Sequence, residues 1–526
     1  MPAIAKIGIF VGLVTAVVYL PACRNEFVLL DDAEYITENP NLDGGLSPQS
    51  AKWAFTAVGY AANYHPLAWI SHLVDVSAAS AKTGKRAEFV SHAHNVALHA
   101  ANAVLLFLLL CLICDGKVRL ELLALLALFW SLHPLRVEVV AWASERKELL
   151  SVFWMLVAAI FYCSRAALTR TRLAVSLLAF ALALLSKPVA VSFPAVLFAW
   201  DWIFRGRPAW KRTAVFAAMS LACAALTMSA QTVAIEAGKD LTLGQRLNAV
   251  IGSPVVYLRQ TFWPSGLSAD YPATIGFDWT NLVLGMIVLA VVASVGVLWL
   301  VRRRGRLLGI AAFAVAWVYV GLVPMLGVVK VASQEHSDRY TYWIGCGAMA
   351  AAALFLAWAS ENSKTICERL RALGMDESCD QLRRFFFAAL ALAVAGFGIV
   401  SWRRLPAWRN SESLCRATAS VSHGFGYTRG LVKFILEKQG EAGRPEAEWW
   451  LRQCVKTEPS PDSYAELAKF LLQKPVNRNL YVGGGDPYCE ARMLLKGALS
   501  EEPGHKLAKQ LMESLEEADK CTKEKR

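Results

Sequence analysis

Residues 4–20 read IAKIGIFVGLVTAVVYL, and the chain then runs into FVLLDDAEYITENP at 27–40 and YHPLAWISH at 64–72. The first stretch has the length and composition of a bilayer-crossing helix. The next two set Asp31, Asp32, Glu34, Glu38, His65 and His72 beside it. Charged groups at the hydrocarbon edge are costly, so they tend to mark functional cavities. Working outward, apolar blocks recur at 90–114, 120–135, 149–162, 173–185, 189–204, 215–233, 282–301, 307–326, 342–359 and 385–400. With the first, these make about eleven spans. The fold class is therefore all-α, a polytopic transmembrane helical bundle with a polar helical tail. Composition agrees: 56% of the 526 residues are hydrophobic, 18% are charged and mean hydropathy is +0.39, whereas a soluble domain is about 25% charged. A weak n-region and the many spans that follow make 4–20 a retained helix rather than a cleaved signal.

Basic residues concentrate in alternate loops. Lys117 and Arg119, then Arg165, Arg170 and Arg172, then Arg205, Arg207, Lys211 and Arg212, then Arg302, Arg303, Arg304 and Arg306, then 364–384 share one side if the spans alternate. The positive-inside rule makes that side the cytoplasm. The other side receives a first outer loop at about 24–89, then 136–148, 186–188, 236–279, 330–339 and the tail. Acidic and histidine-bearing loops thus share the outer face. Within the fourth of these loops, 243–263 is half apolar and reads as an interfacial or re-entrant helix, or as a missed span pair. The net charge of +12 is accounted for by topology. A nucleic-acid partner is not expected, because no basic stripe interleaves with stacking aromatics.

The domain boundary is placed at 400/401. In 401–526 charges of both signs mix, and helical periodicity replaces solid apolar runs. Residues 427–459 and 463–503 read as two degenerate tetratricopeptide-like helix pairs, the second with an insertion at 475–487 that contains Gly483, Gly484 and Gly485. Cys415, Cys454, Cys489 and Cys521 fall in this tail. An outer, oxidising compartment permits disulfides among them.

Asp31 and Asp32 carry the clearest chemistry. A positioned carboxylate can take the proton of a reacting hydroxyl. Adjacent carboxylates can instead hold a divalent cation, or Asp31 can simply cap a short helix. No other spacing suggests a metal site.

The ordered set of motifs is more specific than any one of them. Residues 27–40 and 64–75, then His94-Asn95-Val96-Ala97-Leu98-His99, His133-Pro134-Leu135-Arg136-Val137-Glu138, Ala143-Ser144-Glu145-Arg146-Lys147, Ser186-Lys187-Pro188 and Ser337-Asp338-Arg339-Tyr340 resemble the GT-C membrane glycosyltransferases. Within them the chain resembles the transmembrane and tetratricopeptide-containing O-mannosyltransferase group and its bacterial relatives. The resemblance implies an inverting enzyme of a bacterial inner membrane with its active site and tail on the outer face. It implies a polyprenyl-phosphate sugar as donor and an exported protein Ser/Thr, or a glycan, as acceptor. The base then falls on Asp31 or Asp32. Arg146, Lys147, Lys187 and Arg339 become candidates for the leaving phosphate, which Arg can hold bidentately and Lys as a point charge. His65 and Tyr340 become candidates for supporting contacts, and Glu138, Glu145 and Asp338 for orienting the cations. A transporter of lipid-linked sugars would show internal repeats and midplane charges, and a bare scaffold would need no ordered polar motifs on one face.

Overall fold

The computed structural model describes residues 2–163, 168–230, 244, 247–271, 278–302, 305–325, 336–372, 378–473 and 487–524. Arg165, Arg303 and Arg304, and the insertion before Pro487 with its glycine triplet, lie outside the described residues. Two compact units emerge: Met1–Leu267 with Ala273–Ser411, and Ser268–Pro272 with Glu412–Arg526.

Among the described residues every regular element is helical. The first unit begins with α1 (Pro2–Tyr19), α2 (Pro48–Thr56), α3 (Pro66–Ala79) and α4 (Lys85–Cys114). Then come α5 (Leu120–Ser131), α6 (Val137–Ala141), α7 (Arg146–Cys163), α8 (Arg170–Ser186), α9 (Phe193–Phe204) and α10 (Trp210–Ala230). It ends with α11 (Ser253–Phe262), α12 (Trp279–Arg302), α13 (Arg306–Leu322), α14 (Thr341–Glu361), α15 (Ser363–Ala372) and α16 (Ser378–Arg404). Each apolar block of the sequence lies on one of these helices as far as it is described. Among the described residues seven helices are long and apolar enough to cross a bilayer, and an eighth crossing arises if Leu120–Ser131 and Pro134–Ala141, bent by 54°, count as one. The other blocks, on α7, α8 and α9, are shorter helices, or open on charges such as Arg146, Lys147 and Glu148. Pro134 accounts for the bend, since it has no N–H to continue a helix. The His133 ring accepts the Leu135 N–H there at 3.2 Å.

Helix α4 is the spine of the unit. Its buried polar residues His92, Asn95, His99 and Asn102 recur at the three- and four-residue spacing that lines one helix face. Asn102 donates to the Leu149 carbonyl at 3.0 Å and to the Tyr342 hydroxyl at 3.1 Å. His99 bonds the same hydroxyl at 2.7 Å and the Ser131 carbonyl at 2.9 Å. The motif around 94–102 is therefore a seam joining α4 to α5, α7 and α14. Such interhelical bonds replace the hydrophobic drive that lipid cannot supply.

The segment 243–263 forms a helical turn, Asn248–Gly252, and α11 where it is described. In the second unit, α17 (Ser411–Ser422), α18 (Phe425–Gln439), α19 (Arg444–Thr457), α20 (Pro461–Leu472), α21 (Pro487–Glu501) and α22 (Lys506–Glu524) follow in order. Leu431, Ile435, Leu451, Leu467 and Leu495 share one core. Ser460 and Ser463 form a capping box around Pro461, which fixes the start of α20. Cys415, Cys454 and Cys489 form no disulfide, whereas Cys367 in α15 is disulfide-bonded.

Close approach of α13 and α14 depends on Gly347. A Cβ there would stand 2.3 Å from Cγ of Trp317, a stiff ring. Gly347→Ala is expected to lower stability by about 1–3 kcal/mol through overpacking. A thermal melt of the detergent-purified protein reads this, and an unchanged midpoint would contradict the packing described.

Candidate active site

The loop at about 24–89 has a core of its own. Tyr35 packs on Trp69 with ring centroids 4.5 Å apart, and Trp53 and Tyr60 each sit 5.6 Å from Trp69. Tyr35, Ile36, Leu42, Trp69 and Leu73 are buried together. This aromatic knot holds the turn that carries Asp31 and Asp32, and it separates the fates of the two carboxylates.

Asp32 is fully buried. One of its oxygens accepts the Val28 N–H at 3.0 Å, and the other accepts the Ser144 N–H at 2.9 Å and the Ser144 hydroxyl. It therefore ties the loop at about 24–89 to the turn before α7. Burial pushes its carboxyl up to about 6, against the pull of those bonds. Asp31 points elsewhere. Its side chain is 45% exposed and lies 2.9 Å from Nζ of Lys147. The adjacent pair thus serves two different partner sets rather than one chelate, and no group of three or more metal-ligating side chains occurs among the described residues.

Lys147 leads from Asp31 into a buried ionic cluster. Its Nζ sits 4.3 Å from the Tyr35 ring centre and 3.7 Å from Glu145. Glu145 also meets Nζ of Lys187 at 2.9 Å and Nε of Arg339 at 3.7 Å. Lys187 reaches Glu148 at 3.0 Å. Arg339 is fastened by Glu138, which accepts its Nη1 at 2.6 Å and its backbone N–H at 2.9 Å. Ser337 donates its hydroxyl to Glu138 at 3.1 Å. The Arg339 guanidinium lies 5.6 Å from the Trp142 ring and 5.2 Å from that of Tyr340. Three cations and four carboxylates, from loops far apart in sequence, form one chain of contacts. Burial alone would raise the Glu145 carboxyl, but Lys187, Lys147 and Arg339 outweigh it and hold it down at about 2. Glu148 goes the other way, raised by burial despite Lys187. Lys187 and Arg339 keep 16% and 15% of their side chains exposed, so the cluster has an open edge.

His65 is buried ahead of Pro66, and its Nδ1 has no hydrogen-bond partner. Burial, with the positive charges of Lys147 and Lys187, holds its imidazole well below the ordinary value, so the ring is neutral. It therefore offers an uncommitted nitrogen near the cluster.

Arg146 is not brought to this group. It is wholly buried, with Nη2 on Asp75 at 2.8 Å and on the Ser91 carbonyl at 2.7 Å. Its Nη1 lies on Ser71 at 2.6 Å and on His94 at 2.7 Å, and its Nε on Asn95. One residue along a helix turns the side chain by about 100°, which sends Arg146 into the bundle and Lys147 to the cluster. Asp338 also stands apart, buried with Arg404 at 3.6 Å. Sequence reading missed Glu148, Ser144 and Tyr35 as neighbours of the site. Glu148 lies three residues after Glu145 at a helix start, and that spacing was the available signal.

No family model and no curated protein matches this chain. Among solved structures it is similar to the oligosaccharyltransferase AglB of the archaeon Archaeoglobus fulgidus in complex with an inhibitory peptide and a dolichol-phosphate, at 14% identity and a TM-score of 0.42. The apo form of the oligosaccharyltransferase from that organism is similar at 12% identity and a TM-score of 0.41. Each match covers 87% of this chain and 60% of the other, so the chain spans about three fifths of those proteins.

The Glu145 carboxyl, held at about 2 against an ordinary 4.5, stabilises the fold above pH 4.5. That contribution is lost as pH falls from about 4.5 toward 2, because the folded state then binds the proton less readily than the unfolded one. Glu145→Gln is expected to cost about 3–5 kcal/mol at pH 7, as for one partner lost from a buried ion pair. The gap to the wild type should narrow as pH falls through that window. A gap that stays constant in melts from pH 7 downward would contradict the ion pairing.

Proposed function

We propose that the chain is an integral membrane glycosyltransferase of the GT-C type, with inverting, O-mannosyltransferase-like chemistry. It takes a sugar from a polyprenyl-phosphate donor and passes it to the hydroxyl of an exported protein's Ser or Thr, or of a glycan. The observation that carries this reading is the placement of a half-exposed carboxylate, Asp31, beside the open edge of a buried cation cluster. The ordered sequence motifs supply the reaction class.

In the proposed step the acceptor oxygen attacks the anomeric carbon and loses its proton to Asp31. The bond from that carbon to the phosphate oxygen breaks, and the lipid phosphate leaves with the electron pair. Lys187 and Arg339, with Lys147 behind them, stabilise the charge that develops there; preorganised groups of this kind commonly lower a barrier more than any other single device. The cluster's own carboxylates hold those cations in place when no phosphate is bound. Protonation of Glu148, the direction burial drives it, leaves the cluster more receptive to an anion. Neutral His65 can orient the sugar or the phosphate. Asp32 positions the loop through Ser144 and does not react. Arg146 supports α3 and α4, outside the phosphate contacts. A divalent cation, if one is used, has Asp31 as its accessible carboxylate.

The acidic end is proposed to face outward, in a bacterial inner membrane, with the helical, tetratricopeptide-like tail on the same side to meet the acceptor. The disulfide at Cys367 pulls against this orientation, since it sits in the basic loop assigned to the cytoplasm and disulfides persist in oxidising compartments. Labelling decides. In intact cells an impermeant maleimide should modify exposed Cys489, with Cys489→Ser as control, and should reach Lys211→Cys only after permeabilisation. The reverse pattern inverts the topology.

Two aspartate variants test the chemistry. With polyprenyl-phosphate sugars and acceptor peptides, Asp31→Asn should keep the fold and donor binding and lose at least ~100-fold in transfer rate, the low end for a general base. Asp32→Ala should cost about 1–3 kcal/mol of stability by leaving Val28 and Ser144 donors buried and unmet. Wild-type transfer by Asp31→Asn would remove Asp31 as the base. Donor binding without product, in the folded wild type, would favour a transporter.

A further inference from the structure

Helices α4, α7 and α14 run from the ionic cluster to the other end of the first unit. The 18 residues of α7 span about 27 Å, close to the hydrocarbon thickness. At this far end lies a cavity of about 430 Å³. Part of its wall is Lys117, Arg205 and Arg306, and part is Ile113, Trp200 and Leu354. Lys117 and Arg306 both pair with Glu361. Arg205 pairs with buried Asp201 at 2.6 Å and donates to the Tyr162 carbonyl at 2.8 Å. Arg212 adds a fourth cation 3.8 Å from Asp201. The carboxylates in these pairs are Asp201 and Glu361, so the cations outnumber them. Against that basic wall stands an apolar one, at the end where three helices finish.

A bare phosphate ion would use the cations and leave the apolar wall unfilled. A hydrocarbon chain would do the reverse. We propose that the cavity binds the headgroup and upper chain of one anionic phospholipid from the leaflet that faces the basic loops. Basic pockets between transmembrane helices bind anionic headgroups by this combination. The proposal stands apart from the transferase reading and does not depend on it.

The full chain, purified in detergent, is equilibrated with phosphatidylglycerol or phosphatidylcholine and read by native mass spectrometry. The wild type should retain one phosphatidylglycerol in preference to phosphatidylcholine. Lys117→Gln with Arg306→Gln should weaken that retention about thirtyfold, from two lost basic contacts. Arg207→Gln with Lys211→Gln removes equal charge outside the cavity wall and should leave retention unchanged. If the first pair fails to fold, Leu354→Trp fills the cavity while keeping every charge, and should also lose the lipid. Equal retention of the two lipids, equal loss in the control pair, or retention that survives Leu354→Trp would overturn the proposal. Displacement of the lipid by millimolar inorganic phosphate alone would reassign the cavity to free phosphate.

Discussion

Everything at the acidic end hangs on the carboxylate of Glu145. Lys147, Lys187 and Arg339 come from three separate places in the chain, and each would be costly to bury alone. Glu145 lies within ion-pair distance of all three. It is the point where the start of α7, the turn after α8 and the turn before α14 meet. Pairing at 2.9 Å with Lys187 and at 3.7 Å with the other two leaves those two with stronger second partners, Asp31 and Glu138. The cluster is thus a chain, not a set of isolated bridges, and Asp31, Lys187 and Arg339 are its partly exposed members.

That arrangement links fold to chemistry. Buried ion pairs are weak evidence for stability, because desolvation offsets much of their attraction. Here the cluster keeps its cations under a partly open face, with Lys187 and Arg339 both partly exposed. The seam along α4 serves the complementary purpose. His99 and Asn102 spend their polarity on Tyr342, Ser131 and Leu149, and so hold helices together.

Much of this was legible in the chain. Solid apolar blocks mark helices because a bilayer leaves few alternatives for satisfying the backbone. Alternating basic loops sorted the residues onto two ends, and the structure does bring Asp31, Lys147, Lys187 and Arg339 together, and Lys117 and Arg306 together on Glu361. What sequence could not resolve was direction. Arg146 and Lys147 are neighbours of like charge, yet one is spent on Asp75, Ser71 and Asn95 while the other meets Asp31. Helical rotation separates them, and its phase is set by packing that the pair itself does not encode. The charged first turn of α7 and the shortness of α8 and α9 were hidden for a similar reason: hydropathy reports that a block is apolar, not where its helix begins.

Asp31 and Asp32 make the same point more sharply. By type and position they are interchangeable, and either could be a base, a ligand or a cap. The aromatic knot of Tyr35 and Trp69 turns one inward and leaves the other at the edge. A carboxylate with three donors and no exposure has its lone pairs committed to Val28 and Ser144. Taking a proton from an acceptor would mean first releasing the turn before α7 that carries Glu145 and Lys147. Asp31 has no such commitment. Lys147 meets one of its oxygens at 2.9 Å, and the side chain stays 45% exposed. The division of labour between these two residues, one fixing the turn and one left at the exposed edge, follows from the fold around them.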